Sequence, residues 1–363
     1  MANFKLADKE TLRKYLEILK RIKRREMFNA NKINLIDSDI AIMETILELP
    51  LCESSSENES MDEFKKYFFD KIAHDKNLIS KKQIDRILDF YDSEVLFSYE
   101  ENENIICKGN NEAINNILYF LKSLDQEYYF YASMLFNSPD PLVYIFNHSK
   151  TLDTNCFYLN YFQTPFITFD KKTGDHVLLH EVGHAIDYFR ITGNLKKNRY
   201  NCCDELNSIL LELLYTFLSY DGFYRKLIFE NRFSYTSESL IALTDYFLLV
   251  KDFEKYDSSI KTDDFRKLLI DYLNEELLDS DQDASTLTDE ELIAHYKDYY
   301  LDTDVITDLG YLIGLLKSLE LLPIIIDDKT RGMKILKREL NLKQNCNIVD
   351  PQKFMDNVNN LRL

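Results

Sequence analysis

A shortage of residues that break regular structure is what most limits how this chain can fold. Its 363 residues include 6 prolines and 8 glycines, and after Pro165 no proline appears until Pro323. Over that span the main chain offers few obstacles to helix formation. Apolar residues recur there at helical spacing, which predicts helices over residues 203–221, 236–253, 262–278, 288–302 and 304–321. The tail adds helices near 330–341 and 351–361. The first part of the chain reads the same way. Residues 8–27 place Leu12, Tyr15, Leu16, Leu19 and Ile22 on one face. A second helix is expected from Ser38 or Asp39 to Leu49, stopped by Pro50, with others over 61–73, 80–92 and 110–124. The acidic run Cys52–Ser60 reads as a loop, and 94–108 fits strand or helix. One stretch departs from this pattern. After a turn at Ser138–Pro141, the segments Leu142–Phe146, Cys156–Phe162 and Pro165–Phe169 are rich in β-branched and aromatic residues and predict a small sheet. The expected fold class is mainly α with a small β-sheet. An N-terminal helical region (1–135) would precede a mostly helical catalytic domain (136–363).

Charge and cysteine content exclude several classes of partner. Lys and Arg number 44 against 62 Asp and Glu, a net charge of −18. That balance argues against nucleic acid, which needs clustered cations for its phosphates. The one basic run, Lys20–Arg25, reads as a solvated helix face. Six scattered cysteines form no C-x-x-C and are too sparse for a disulfide scaffold. Reduced thiols in a cytoplasmic protein are expected. Cys202 and Cys203 lie just before an expected helix and are candidates for a thiol contact near the site. The N-terminus is charged throughout and has no apolar signal core. No segment offers about 18 uncharged apolar residues, so no membrane partner is expected. Oligomeric state is not encoded in any feature of the sequence.

The sheet leads directly into Thr173–Phe189, TGDHVLLHEVGHAIDYF, which contains H-E-x-x-H at His180, Glu181 and His184. On a helix, residues four apart share a face, so the two imidazoles can aim at one point. Glu181 borders the same side. That arrangement suits two zinc ligands and a carboxylate that takes a proton from water. Chance alone gives the pattern in about one chain in a hundred of this length and composition, so its surroundings have to support it. They do: Val177, Leu178, Leu179, Val182, Ala185 and Ile186 make the segment largely apolar. Thr173 can cap the helix, Asp175 suits its positive end, and His176 is expected to cap the first turn. Gly183 costs about 1 kcal/mol relative to alanine in a helix interior, which makes sense if another backbone passes close. Asp187 could orient His184.

Catalytic zinc usually takes three protein ligands, so two histidines need a partner. No further histidine follows until His295. The segment Cys203–Leu218 supplies carboxylates instead: Glu205 and Glu212 lie two turns apart beside Leu206, Ile209, Leu210 and Leu213. A buried carboxylate needs a cation or hydrogen-bond donor. Glu205 is the leading third ligand, with Glu212 and Asp204 as alternatives. Glu212 could otherwise hydrogen-bond a ligand imidazole.

PFITFDKKTGDHVLLHEVGHAID followed by DELNSILLELL resembles the thimet oligopeptidase and oligoendopeptidase F family of zinc peptidases. The shared motifs are HExGHA, matched by HEVGHA, and E-x-x-S-x-x-x-E, matched by Glu205, Ser208 and Glu212. The likeness covers roughly residues 150–325. It implies His180, His184 and Glu205 as zinc ligands, Glu181 as general base, and PFITF as an edge strand that pairs with substrate. It also implies a His/Tyr-rich segment that holds the tetrahedral intermediate. Here that counterpart is Ala294–Leu316, where Tyr311 is the first choice of oxyanion donor and His295 the second, followed by Tyr299 and Tyr300. The His180–Glu205 gap and the chain itself are shorter than the family shows. The implied activity is hydrolysis of peptide bonds in a peptide substrate. Two alternatives stand beside it. One is a lethal-factor-like zinc protease, whose motif also has Asp three residues after the second His. The other is a helical interaction protein that binds zinc without cleaving peptides.

Overall fold

A computed structural model of the chain describes residues 4–26, 29–48, 59–93, 110–147, 149, 152–191, 204–276, 284–341 and 351–361. The expected loop at 52–58, the ambiguous 94–108 and the Cys202–Cys203 pair lie outside the described residues.

Among the described residues the chain is mainly helical around a small three-stranded sheet, in line with the expected fold class. The N-terminal helices are α1 (Lys9–Arg25), α2 (Ala30–Ile46), α3 (Met61–Lys76), α4 (Lys81–Asp92), α5 (Asn110–Leu124) and α6 (Gln126–Phe136). Strands β1 (Val143–Phe146), β2 (Asn155–Leu159) and β3 (Thr164–Asp170) follow, then α7 (Asp175–Ile191) and α8 (Asp204–Ser219). Next come α9 (Gly222–Phe253), α10 (Thr262–Glu276), α11 (Asp289–Tyr296), α12 (Val305–Asp327), α13 (Lys329–Asn341) and α14 (Pro351–Leu361).

Three helices depart from their expected bounds. Helix α2 starts at Ala30, capped by Asn29, whose side chain accepts from Lys32 N. The polar run ANKINLIDSD hid its first turns. Asp39 is not a cap but a buried mid-helix residue whose carboxylate accepts from Asn160 N (2.6 Å) and Tyr161 N (3.0 Å), fixing the turn after β2. Helix α9 begins fourteen residues before the expected 236, capped by Asp221. Helix α12 runs on through Pro323 to Asp327, with Leu321, Leu322 and Ile325 still buried. The stretch Asp289–Asp327, which ends with this helix, is long and apolar enough to cross a membrane, but 67% of its most apolar part is buried inside the protein. Its apolarity is used by the core.

In the sheet the strand order is β1-β3-β2, with β3 parallel to β1 and antiparallel to β2. The segment PFITF therefore forms the central strand, which corrects its expected role as an edge. The reason is coverage on all sides: β1 and β2 flank β3, and both sheet faces are buried. Ile167 and Phe169 join the main core, while Phe166 joins Tyr144, Phe146 and Leu159 against α1 and α2. Ile167 N donates to Leu142 O (2.9 Å), so Ile167 bonds towards β1. By alternation Phe166 and Thr168 bond towards β2, to their partners Phe157 and Asn155. The backbone groups of Cys156 and Tyr158 then face the outer edge of β2. The outer side of β1 is bridged by Ala7.

Candidate active site

The centre of the molecule is the crossing of α7 and α8. A Cβ placed on Gly183 would lie 2.7 Å from Ser208 Cα, so only glycine permits this approach. Asn207 locks the pair: its Nδ2 donates to Gly183 O (2.9 Å), and its Oδ1 accepts from Tyr128 OH (2.8 Å). Gly314 does for α12 what Gly183 does for α7. A Cβ there would lie 3.0 Å from Glu205 Cβ. Glu205 thus sits on a helix that α7 and α12 both approach through glycines, α7 at Ser208 and α12 at Glu205 itself.

At the crossing, His180 Nε2 lies 3.3 Å and His184 Nε2 3.4 Å from the same oxygen, Glu205 Oε2. The three donor atoms lie within 4.8 Å of one another. Ligands about 2 Å from a tetrahedral metal sit roughly 3.3 Å apart, so the two imidazole-to-carboxylate distances match edges of such a site. Glu205 Oε2 is buried and has no hydrogen-bond partner, despite the two close imidazoles. An oxygen left that way calls for a cation. The donor set, two imidazoles and one carboxylate, is one that zinc accepts.

The residues behind the trio favour the same use. His180 Nδ1 is 3.0 Å from Glu212 Oε2, which also receives Arg232 Nη2. With Nδ1–H donating to Glu212, the Nε2 lone pair is free to face a metal. Burial and the charge of Arg232 push the His180 pKa down, but the carboxylates of Glu205 and Glu212 outweigh them and raise it. Burial likewise opposes a charged His184, yet Glu205 raises it to about 9. Glu205 itself is pushed up by burial and pulled well below the usual carboxylate range by the two histidines. Burial also raises Glu212, and Arg232 with His180 brings it down to about 2.

A cavity of about 530 Å³ reaches this cluster at His180, and Glu181, Arg232, Tyr235 and Tyr311 are among its other lining residues. Glu181 is buried at 7% exposure, and that burial raises its pKa. Tyr311 on α12 packs edge-on against Tyr235 on α9, with ring centroids 4.9 Å apart. Burial and the Glu205 charge raise its hydroxyl pKa well above the usual value. His295 lies elsewhere among the aromatics of α11 and the π-helical turn Lys297–Leu301, 4.6 Å from the Tyr299 ring and 6.1 Å from that of Tyr300. None of those three lines the cavity. Asp187 accepts from Arg190 Nη1 at 3.3 Å. Thr173 does not cap α7 but donates to Asp170 O (2.8 Å), shaping the turn out of β3. His176 is not a cap either, since its buried Nδ1 has no partner. It lines the cavity one turn before His180.

Arg232 and Tyr235 went unforeseen because both lie in the part of α9 outside its expected bounds. A signal was present: Arg232 follows Ile228 by four residues and Phe229 by three, a cation on an apolar helical face.

The fold and the site together define a mainly helical protein with a His-His-Glu cluster at one end of a cavity. No family model and no curated protein matches the chain. Among solved structures it aligns, at low similarity, with two assigned as oligoendopeptidase F and with a PZ peptidase. One, from Bacillus anthracis, shares 16% identity over 91% of this chain, with a TM-score of 0.36. Another shares 15% over 98%, at 0.44. PZ peptidase A, solved with an inhibitor, shares 14% over 98%, at 0.37. This chain spans 60%, 70% and 68% of the lengths of those three.

Proposed function

We propose that the protein is a zinc-dependent peptidase of the oligoendopeptidase type, acting on a peptide substrate. The observation that carries this reading is the convergence of His180 Nε2, His184 Nε2 and Glu205 Oε2, with Glu181 beside them on the cavity wall. His180, His184 and Glu205 would hold the ion. When bound, zinc supplies Lewis acidity, lowering the pKa of water towards about 7 and polarising the scissile carbonyl.

The chain's own groups do the rest. Glu181 accepts a proton from the attacking water and delivers it to the leaving nitrogen. Its burial suits both halves of that task, because a raised pKa brings proton uptake and release closer to neutral pH. Tyr311 donates its hydroxyl proton in a hydrogen bond to the oxyanion that develops on the carbonyl oxygen. The raised pKa of Tyr311 keeps the hydroxyl protonated for that purpose. Arg232 and Glu212 hold His180 in the tautomer that leaves Nε2 free. The substrate backbone pairs with the outer edge of β2, where Cys156 and Tyr158 present their main-chain groups. Helix α7, which carries Glu181, packs against both β2 and β3.

The test is peptide turnover by the Glu181→Gln protein with zinc content measured in the same sample. Retained zinc with turnover down by about 10²–10⁴-fold is expected. Turnover at the wild-type rate would remove Glu181 from the mechanism.

A further inference from the structure

Beside the His-His-Glu cluster, the same cavity holds two buried nitrogens with nothing to bond. His176 is 3% exposed, and its Nδ1 has no hydrogen-bond partner. Arg232 commits Nη2 to Glu212, while its Nε–H is buried without an acceptor. Both side chains line the cavity that also contains Glu181 and Tyr311. Buried donors left unpaired are rare, because their lost hydration is not repaid. Arg232 Nε–H can only donate and His176 Nδ1 donates in one of its tautomers, so the two atoms, lining one cavity, suit a ligand that brings acceptor oxygens. Lys172 and Glu238, at the rim, are exposed and of opposite sign, so the buried groups decide what the wall selects.

We propose that Arg232 and His176 form a subsite for a carboxylate of the substrate, either the C-terminal carboxylate of a peptide or an acidic side chain. This rests on the peptidase reading and concerns which peptides the centre takes. Arg232 Nε–H donates to one carboxylate oxygen, a charge-assisted bond stronger than one to a neutral amide. The guanidinium is planar, so anchoring Nη2 on Glu212 also fixes the direction of Nε–H. His176, in the tautomer with Nδ1–H, donates to the second oxygen. Because Glu212 also holds His180, the carboxylate is bound within reach of the metal ligands, at one end of the reacting segment.

The experiment uses the zinc-loaded full chain and two matched peptide pairs. One pair differs only in a C-terminal acid or amide, the other only in an internal Glu or Gln. In one pair the acid form is expected to show kcat/KM at least about tenfold higher, and which pair does so identifies the source of the carboxylate. His176→Phe keeps a ring but removes Nδ1, and is expected to lower that acid-to-neutral ratio several-fold. His176→Gln restores a donor and is expected to recover part of it, which also guards against a phenylalanine variant that does not fold. Binding of the same peptides to the Glu181→Gln protein gives the ratio without cleavage. Cleavage at equal rates within both pairs would overturn the subsite and leave the peptidase reading standing. Acid-selective binding with no cleavage by the wild-type protein would support the subsite and overturn the peptidase reading. An acid preference unchanged in both His176 variants would overturn the assignment to these residues.

Discussion

The floor and the wall of the cavity are built on different terms. The floor is the α7–α8 crossing, where two helices touch through Gly183. The wall is α9 with α12, which reaches the site through long side chains, Arg232 and Tyr311, resting on each other's aromatic surroundings. A floor of that kind fixes ligand geometry before any metal arrives. A wall of that kind positions donors that act on substrate, and Tyr311 can be exchanged without disturbing the ligands, whereas Arg232 also bears on His180 through Glu212. Binding should therefore belong to the floor and rate to the wall.

The largest effect expected from this division is at Tyr311. Tyr311→Phe keeps the ring against Tyr235 and removes only the hydroxyl. Loss of one oxyanion donor costs about 10²–10³-fold in kcat, with zinc affinity unchanged. Single-turnover kinetics alongside metal analysis reads both, and a loss of zinc would show that wall and floor are not separable.

A smaller effect is expected at Gly183. Glycine to alanine in a helix interior normally stabilises by about 1 kcal/mol. Here the new methyl meets Ser208 Cα at 2.7 Å, a backbone atom that cannot swing aside. Overpacking of that kind costs about 1–3 kcal/mol, so Gly183→Ala should lower stability and weaken zinc binding together. Denaturant titration that finds the variant more stable than wild type would mean the helices do not touch as described.

The smallest effect is on pH dependence. In the metal-free floor His184 is raised from 6.5 to about 9. Its protonated form is favoured by the fold, so the contribution is full below about pH 6.5 and is lost as pH rises through about 9. Metal-free protein should lose stability across that window. Zinc needs the neutral imidazole, so its apparent affinity should rise about tenfold per pH unit from neutrality and level off near pH 9. Calorimetry in buffers of different ionisation enthalpy would register at least about one proton released at neutral pH, from His184, with any further release coming from His180. No proton release would mean that His184 is already neutral.

The same division explains what could be read from the sequence. The floor is local: His180 and His184 are four apart, and Glu205 and Glu212 seven apart, so helical period alone places each pair on one face. Even the mid-helix glycine pointed to a close neighbour, which is Ser208. The wall is not local. Arg232 and Tyr311 are 79 residues apart in number, and nothing in either helix's own pattern says that they meet. His295 shows the cost of that gap, for its tyrosine-rich surroundings resemble a donor segment but lie against the π-helical turn, away from the cavity. The central position of PFITF was hidden for a similar reason, since strand order depends on partners and not on the strand's own residues.

Zinc content of the purified protein, measured together with the donor atoms seen by X-ray absorption, bears most directly on the central claim. One zinc per chain with two imidazole nitrogens and a carboxylate oxygen, falling away in Glu205→Ala, is the predicted result. A protein that takes up no stoichiometric zinc, or holds it equally well without the Glu205 carboxylate, would contradict it.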